Sequence, residues 1–323
     1  MTSENQGTNP ESAASMVHME KTTSWKQPFR RILDNPVILK ELRGRMRGRQ
    51  AFALLTIYLG LIALFIVVVY NTIFGVTGGA AWDPSARQMA GKVIFGTVVL
   101  LELLLLSFIA PGLTAGAITS ERERQTFDLL RTTLLSARSL VLGKLGSAFG
   151  YLFLLILTAL PIQSLAFILG GVGMAEMVVS SLMLVVTALF FCTLGIFFSS
   201  FMKRTLPATI SSYAAILLSF LVLVILIFLI AYVQSTSYGN YPVREQILTL
   251  VIWFLISTNP FMAAVMSEVI LVDQQSLFMT SSAMFGSGPA YLLSPWITYL
   301  AVYLVLTIIM IALSIYKVKR PDR

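Results

Sequence analysis

ATISSYAAILLSFLVLVILIFLIAYV, residues 208–233, runs for 26 residues without one charged side chain. As a helix rising about 1.5 Å per residue it is long enough to cross the ~30 Å hydrocarbon core of a bilayer. Five more apolar runs of crossing length lie at 52–74, 93–118, 145–169, 177–201 and 296–316. Of the whole chain 57% is hydrophobic and 12% charged, whereas water-soluble domains carry about 25% charged residues. The runs predict an all-α polytopic membrane protein with six transmembrane helices.

The connections between the runs fix an orientation. With the N-terminus inside, the cytoplasm receives the nine Lys and Arg up to Arg49, followed by Arg122, Arg124, Arg131, Arg138, Lys144, Lys203, Arg204, Lys317, Lys319, Arg320 and Arg323. Outside remain Arg87, Lys92 and Arg244. Twenty against three is a strong positive-inside bias, and it agrees at every loop with both termini in the cytoplasm. The net charge of +8 is thus a product of topology. No basic stretch is interleaved with stacking aromatics, which argues against a nucleic-acid partner.

Between the fifth and sixth crossings, residues 234–295 hold two apolar runs, 247–256 and 261–272, broken at Asn259-Pro260. Each is shorter than a crossing, a length that suits a re-entrant or interfacial segment. One extra crossing here would carry the cationic C-terminus outside, so the segment is expected to stay external, with Trp253 and Trp296 near the interface. Residues 1–33 are expected to form a flexible cytoplasmic tail and 34–323 the six-helix domain. The first 21 residues hold almost nothing to bury and are too long and acidic for a signal-peptide n-region, so no cleavage is expected. DNPVILKELRGRMRGRQ, residues 34–50, can start a helix at Asn35-Pro36. It fits either an N-terminal basic helix lying on the anionic inner leaflet or an ordinary positive flank of the first crossing.

Several chemistries lack their residues. The single cysteine, Cys192, permits neither an intrachain disulfide nor a Cys-based metal cage. His18, in the tail, is the only histidine, so protease and haem chemistries that need imidazole at membrane depth have no ligand or base. Glu102 is the one carboxylate deep within a run, where an ionised form costs about 2.5–3.5 kcal/mol on insertion scales. It must face protein or water, either in a substrate or proton role or as a neutral group bonded to a neighbouring helix. Further along, Pro111 removes a backbone donor and predicts a kink, and Glu176 reads as a helix cap at the interface. Gly112-x-x-x-Gly116 and Gly146-x-x-x-Gly150 permit close helix packing.

The loop after the second crossing, ITSERERQTFDLLRTTLLSARSLVLGK at 118–144, is the stretch richest in function. Ser120 and Glu123 have capping-box spacing, and Glu121 adds negative charge at a helix start. Phe127, Leu130 and Leu134 recur on one helical face, with Arg124 and Asp128 able to pair on another. The spacing predicts an amphipathic helix over about 119–136, which could be a simple connector or a docking element.

This loop, together with Asn35-Pro36 and Glu41-Leu42-Arg43, resembles the permease subunits of type-2 ABC transporters. There the loop usually reads E-x-E-x-G-T, then leucines, then T-P-L-S and a distal G-K. Here stand Glu121, Glu123 and Thr126, then Leu129-Leu130, then Thr133, Leu135 and Ser136, then Gly143-Lys144. Gln125 replaces the usual Gly and Leu134 the usual Pro. The resemblance implies that the loop is a coupling helix seated in a groove of a separate ATP-binding-cassette ATPase, through Glu121, Arg122, Glu123, Thr126, Phe127 and Leu130. It also implies a second copy or similar permease as partner, export as the direction, and a bacterial cytoplasmic (inner) membrane as the location. No G-x-x-x-x-G-K-[ST] loop occurs, so this chain is expected to bind no cofactor, with ATP and Mg held on the partner subunit. A self-sufficient secondary transporter or channel, a membrane enzyme and a non-transporting anchor are the rival classes. The first predicts several charged crossings and inverted repeats, and the sequence offers one carboxylate.

Overall fold

All six long apolar runs fold as helices. The computed structural model describes residues 36–46, 48–76, 84–126, 136–236, 242–274, 277–281 and 291–319. In chain order these form α1 (Pro36–Met46), α2 (Arg49–Val76), α3 (Pro84–Thr114), α4 (Thr119–Glu123), α5 (Ala137–Ile168), α6 (Met174–Phe201), α7 (Thr205–Thr236), α8 (Pro242–Thr258), α9 (Pro260–Gln274), β1 (Met279–Ser281), β2 (Tyr291–Leu293) and α10 (Pro295–Lys319). Helices α1, α3, α8, α9 and α10 open on proline, whose missing N–H is harmless in a first turn. Among the described residues, six helices (α2, α3 with its continuation α4, α5, α6, α7 and α10) are long and apolar enough to cross a membrane. The architecture is therefore that of an all-α polytopic protein.

Helix α6 is the axis of the bundle and packs against α3, α5, α7 and α10. Two-thirds of its apolar window (67%) is buried, against 6% for α7 and 11% for α2, so those two present their apolar sides outward. The α6–α10 seam closes through a hydrogen bond of 2.6 Å between Thr187 and Tyr299 hydroxyls and a ring contact between Phe190 and Tyr303 at 4.5 Å. Helix α2 joins the bundle by a narrow stripe in which Tyr58 and Ile62 are wholly covered. Small residues set the closest approaches. A Cβ on Gly112 would stand 3.1 Å from the Tyr213 hydroxyl, one on Gly116 3.3 Å from Thr205, and one on Gly150 3.4 Å from Leu42. At Gly195 an added Cβ would collide with the Thr114 side chain. The predicted glycine patterns thus serve contacts within the chain, between α3 and α7 and between α5 and α1.

Glu102 is fully buried on α3, and both of its oxygens accept from the Gln163 amide of α5, at 3.0 and 2.9 Å. Glu176 caps α6 as expected, accepting the Gly173 N–H at 2.8 Å.

The segment between the fifth and sixth long helices is built on one break. Asn259 Oδ1 accepts from the N–H groups of Phe261 and Met262, at 3.0 and 3.3 Å, and so starts α9 directly after α8. The two helices bend by 108° at this point, so α9 turns back on α8 instead of extending it. The Tyr303 hydroxyl covers the Thr258 carbonyl at the end of α8. A short antiparallel ribbon follows, in which Met279 faces Leu293, and the indole N–H groups of Trp253 and Trp296 tie it down by donating to Leu293 and Leu277 carbonyls.

Candidate functional site: the junction around α4

Five residues of helix, Thr119–Glu123, hang from α3 by a single turn and touch both sides of the bundle's basic end. The expected capping box is not formed. Ile118 is the N-cap and supplies no side-chain acceptor. Instead Ser199 of α6 accepts the Ile118 and Thr119 N–H groups at 2.9 and 3.1 Å, and the Ser120 N–H that a capping-box Glu123 would accept goes to the Gly116 carbonyl at 3.0 Å. Glu123 is thereby released to reach α7. Its carboxylate accepts the Thr205 N–H at 2.7 Å and the Thr205 hydroxyl at 2.8 Å, where the positive end of the α7 macrodipole favours an anion. Beside it, Arg122 donates to the Met202 carbonyl at 2.8 Å, at the C-terminal end of α6. Glu123 and Arg122 therefore grip the two ends of the α6–α7 turn.

On the opposite side the charges converge on Lys144. Its ammonium lies 3.3 Å from Glu121 of α4 and 3.4 Å from Glu41 of α1. Glu41 also accepts from the Ser147 hydroxyl at 3.0 Å, and Glu121 accepts from the Thr126 hydroxyl. The Arg45 guanidinium donates to the Leu113 carbonyl at 3.3 and 3.2 Å, covering an orphan acceptor in the last turn of α3. The Tyr151 hydroxyl fastens α5 to the start of α2 by donating to the Ala51 carbonyl at 2.9 Å. Between these groups lies a cavity of about 680 Å³, lined by Glu41, Arg45, Gln50, Ser120, Lys144 and Tyr151 among others.

Four of the six residues expected to touch a partner ATPase, Glu121, Arg122, Glu123 and Thr126, are therefore engaged within the chain. Phe127 and Leu130, like the whole stretch 127–135, lie outside the described residues, as does the Arg124–Asp128 pair. The described helix stops at Glu123, short of the span 119–136 expected from spacing. The reason is visible two residues on, where Gln125 has φ of 57°, in the left-handed region that ends helices. Ser136 then caps α5 by accepting the Ser139 N–H at 3.2 Å. Glu102 belongs to no part of this junction, being twelve residues, or roughly 18 Å of helix, before the end of α3.

Compared with known proteins, the chain matches no family model and no curated relative. Its role is read from residues and geometry. Sequence reasoning did not assign Glu41, Arg45, Lys144, Ser199 and Thr205 to a site. Glu41 and Lys144 were visible as parts of the ABC-type pattern, but nothing in their spacing tells that residues 103 apart share a bond. Ser199 and Thr205 carried no signal, being ordinary hydroxyl residues at the ends of apolar runs.

Proposed function

We propose that the chain is the membrane-spanning permease subunit of a type-2 ABC transporter, an exporter driven by ATP hydrolysis on a separate subunit. The observation that carries this reading is the meeting of Glu41, Glu121, Thr126 and Lys144 at one junction. These residues come from three separated parts of the resemblance pattern, and a chance likeness gives no reason for them to touch. The left-handed backbone at Gln125 adds support, since the family's usual residue there is the glycine that such a φ favours.

On this reading the tip of the loop, carrying Phe127 and Leu130, seats in a groove of the ATPase, which holds ATP and Mg. Glu121, Arg122, Glu123 and Thr126 position the tip and hand its displacement to the α6–α7 turn and to α1 and α5. Helix α1 lies along the inner leaflet. The α8–α9 pair is the external re-entrant element, its apolar legs Ile247–Thr258 and Pro260–Leu271 each falling short of a crossing and bent by 108° from one another. Both termini face the cytoplasm, and a second copy or similar permease completes the pathway.

The test is affinity capture of the tagged chain from its native membranes, with ATP-binding-cassette ATPases identified by mass spectrometry and stimulated hydrolysis measured. Wild type is expected to retain one such ATPase and Phe127→Ala to lose most of it, a hot-spot loss of roughly 2 kcal/mol or more, while inserting normally. Capture of no ATPase by the wild-type chain, or equal capture and stimulation by the variant, refutes the assignment.

A further inference from the structure

At the end of the bundle opposite α4, the turned-back helix α9, the start of α6 and α3 enclose a small space with mostly apolar walls and four polar side chains on its lining. It measures about 20 Å³ and is lined by Glu176 and Ser180 of α6 and Ser267 and Glu268 of α9, with Phe95 and Met183 among its apolar walls. That is room for one water-sized occupant. Ser267 is 2% exposed, and its hydroxyl has no hydrogen-bond partner among the described residues. A buried hydroxyl left unpaired costs on the order of 1–3 kcal/mol, so its presence on this wall calls for an occupant.

The other oxygens are also arranged to receive one. Ser180 donates its proton to the Met177 carbonyl at 3.1 Å, which leaves the hydroxyl oxygen's lone pairs facing outward from that bond. Glu176 uses Oε2 on the Gly173 N–H and keeps Oε1. The Glu268 carboxylate lies against the α3 backbone at Gly96, where a Cβ would stand 2.8 Å from Oε2 and 3.1 Å from Oε1. Only a residue without a side chain lets that carboxylate sit there. Burial pushes the Glu268 carboxyl up to about 7, with Glu176 raising it further and Lys92 opposing, so the cluster of two carboxylates and one ammonium carries one net negative charge when Glu268 is ionised.

We infer that this is a binding site for one small monovalent cation of the sodium class, held by Glu268, Glu176 and the hydroxyl oxygens of Ser267 and Ser180. Hard oxygen donors and a single net negative charge suit a monovalent ion. A divalent ion would overcompensate that charge, and calcium needs six to eight oxygens, whereas with Glu176 Oε2 engaged by the Gly173 N–H these side chains have about five to offer. The half-buried Glu176 at the rim gives the ion a way in. The site requires no ATPase, so it and the transporter reading stand or fall separately.

The experiment uses the purified full-length chain in detergent, with melting temperature followed against NaCl at constant ionic strength made up with N-methylglucamine chloride. Equilibrium dialysis with radioactive sodium gives the stoichiometry. A ligand that binds only the folded state raises stability with the logarithm of its concentration, so a saturable upward shift with about one ion per chain is expected. N-methylglucamine is too large for the space. Glu268→Gln is expected to abolish the response, and Ser267→Ala and Gly96→Ala to weaken it at least about tenfold, with unchanged elution on size exclusion. If Glu268→Gln does not fold, the other two variants still decide. Identical melting in both salts means a resident water and overturns the proposal. So does a larger shift with calcium than with sodium, or a sodium response that Ser267→Ala and Gly96→Ala leave intact.

Discussion

Lys144 holds the junction together, and Lys144→Met tests it by removing the ammonium while keeping most of the apolar stem. The Lys144 side chain is 8% exposed, against 27% for Glu41 and 30% for Glu121. At separations of 3.4 and 3.3 Å each pair attracts by about 5 kcal/mol at an effective dielectric of ~20. Desolvation of the lysine and the water still reaching both glutamates take back most of that. Losing one partner of a wholly buried pair costs about 3–5 kcal/mol, and the partial exposure here lowers the expected loss to about 2–3 kcal/mol. For a chain of this size that is a drop of roughly 4–10 °C in unfolding midpoint, read in detergent at one fixed scan rate because unfolding of such proteins is often irreversible. The substitution also leaves Glu41 and Glu121 side by side without their shared cation. Glu121→Gln should therefore cost stability in the wild type and restore some in the Lys144→Met background, with a coupling of at least about 1 kcal/mol. A cost below about 0.5 kcal/mol for Lys144→Met, with the two changes simply adding, would mean that the three side chains are near one another without holding anything.

Gln125→Gly should be neutral to stabilising and Gln125→Val should cost about 1–2 kcal/mol, because only the latter brings a β-branched side chain into the left-handed region; thermal unfolding distinguishes them. Glu102→Gln should leave the chain folded and partly active, while Glu102→Leu strands the Gln163 amide at a cost of about 1–3 kcal/mol that Glu102→Leu with Gln163→Leu largely removes. Complete loss of transport in Glu102→Gln, with normal assembly, would point to a charge or proton role instead. Reporters placed near Tyr238 and after Arg323 should report opposite sides of the membrane, and agreement between them refutes the six-crossing topology.

Crossing helices were legible because length alone decides them: 26 uncharged apolar residues at 208–233 have few places to go but lipid. The break at Asn259-Pro260 was equally plain, since an Asx cap followed by proline is a local event, and the 108° bend occurs there. The capping box was misread for a reason that local spacing cannot reveal. Ser120 and Glu123 have the right separation, yet the helix begins earlier, where Ser199, some eighty residues away, accepts the Ile118 and Thr119 N–H groups, and with the Ser120 N–H bonded to Gly116 the Glu123 carboxylate goes to Thr205. Helix termini compete for the same few polar side chains, and tertiary packing chooses the winner. The Glu102 partner was left open for the same reason. A buried carboxylate must find a polar neighbour, but which helix supplies it depends on how α3 and α5 are rotated against each other.

The direction in which the acidic pair points changes what the loop can do. Residues read from sequence as outward-facing contacts turn out to be spent inward, Glu121 on Lys144 and Glu123 on Thr205. Arg124 and Gln125 are exposed at this end. On the reading proposed above, a partner's affinity would come from Phe127 and Leu130, with the charges of α4 holding the base of the loop. Rigidity matters because α4 is only five residues long and is bonded on both flanks. One turn of helix held by Ser199 and Thr205 on one side and Lys144 on the other has little freedom to absorb a push by bending. On the reading proposed above, a displacement delivered to α4 would move the α6–α7 turn and the α1–α5 contact together. Since α6 is the axis on which α3, α5, α7 and α10 pack, that movement reaches every helix of the central bundle.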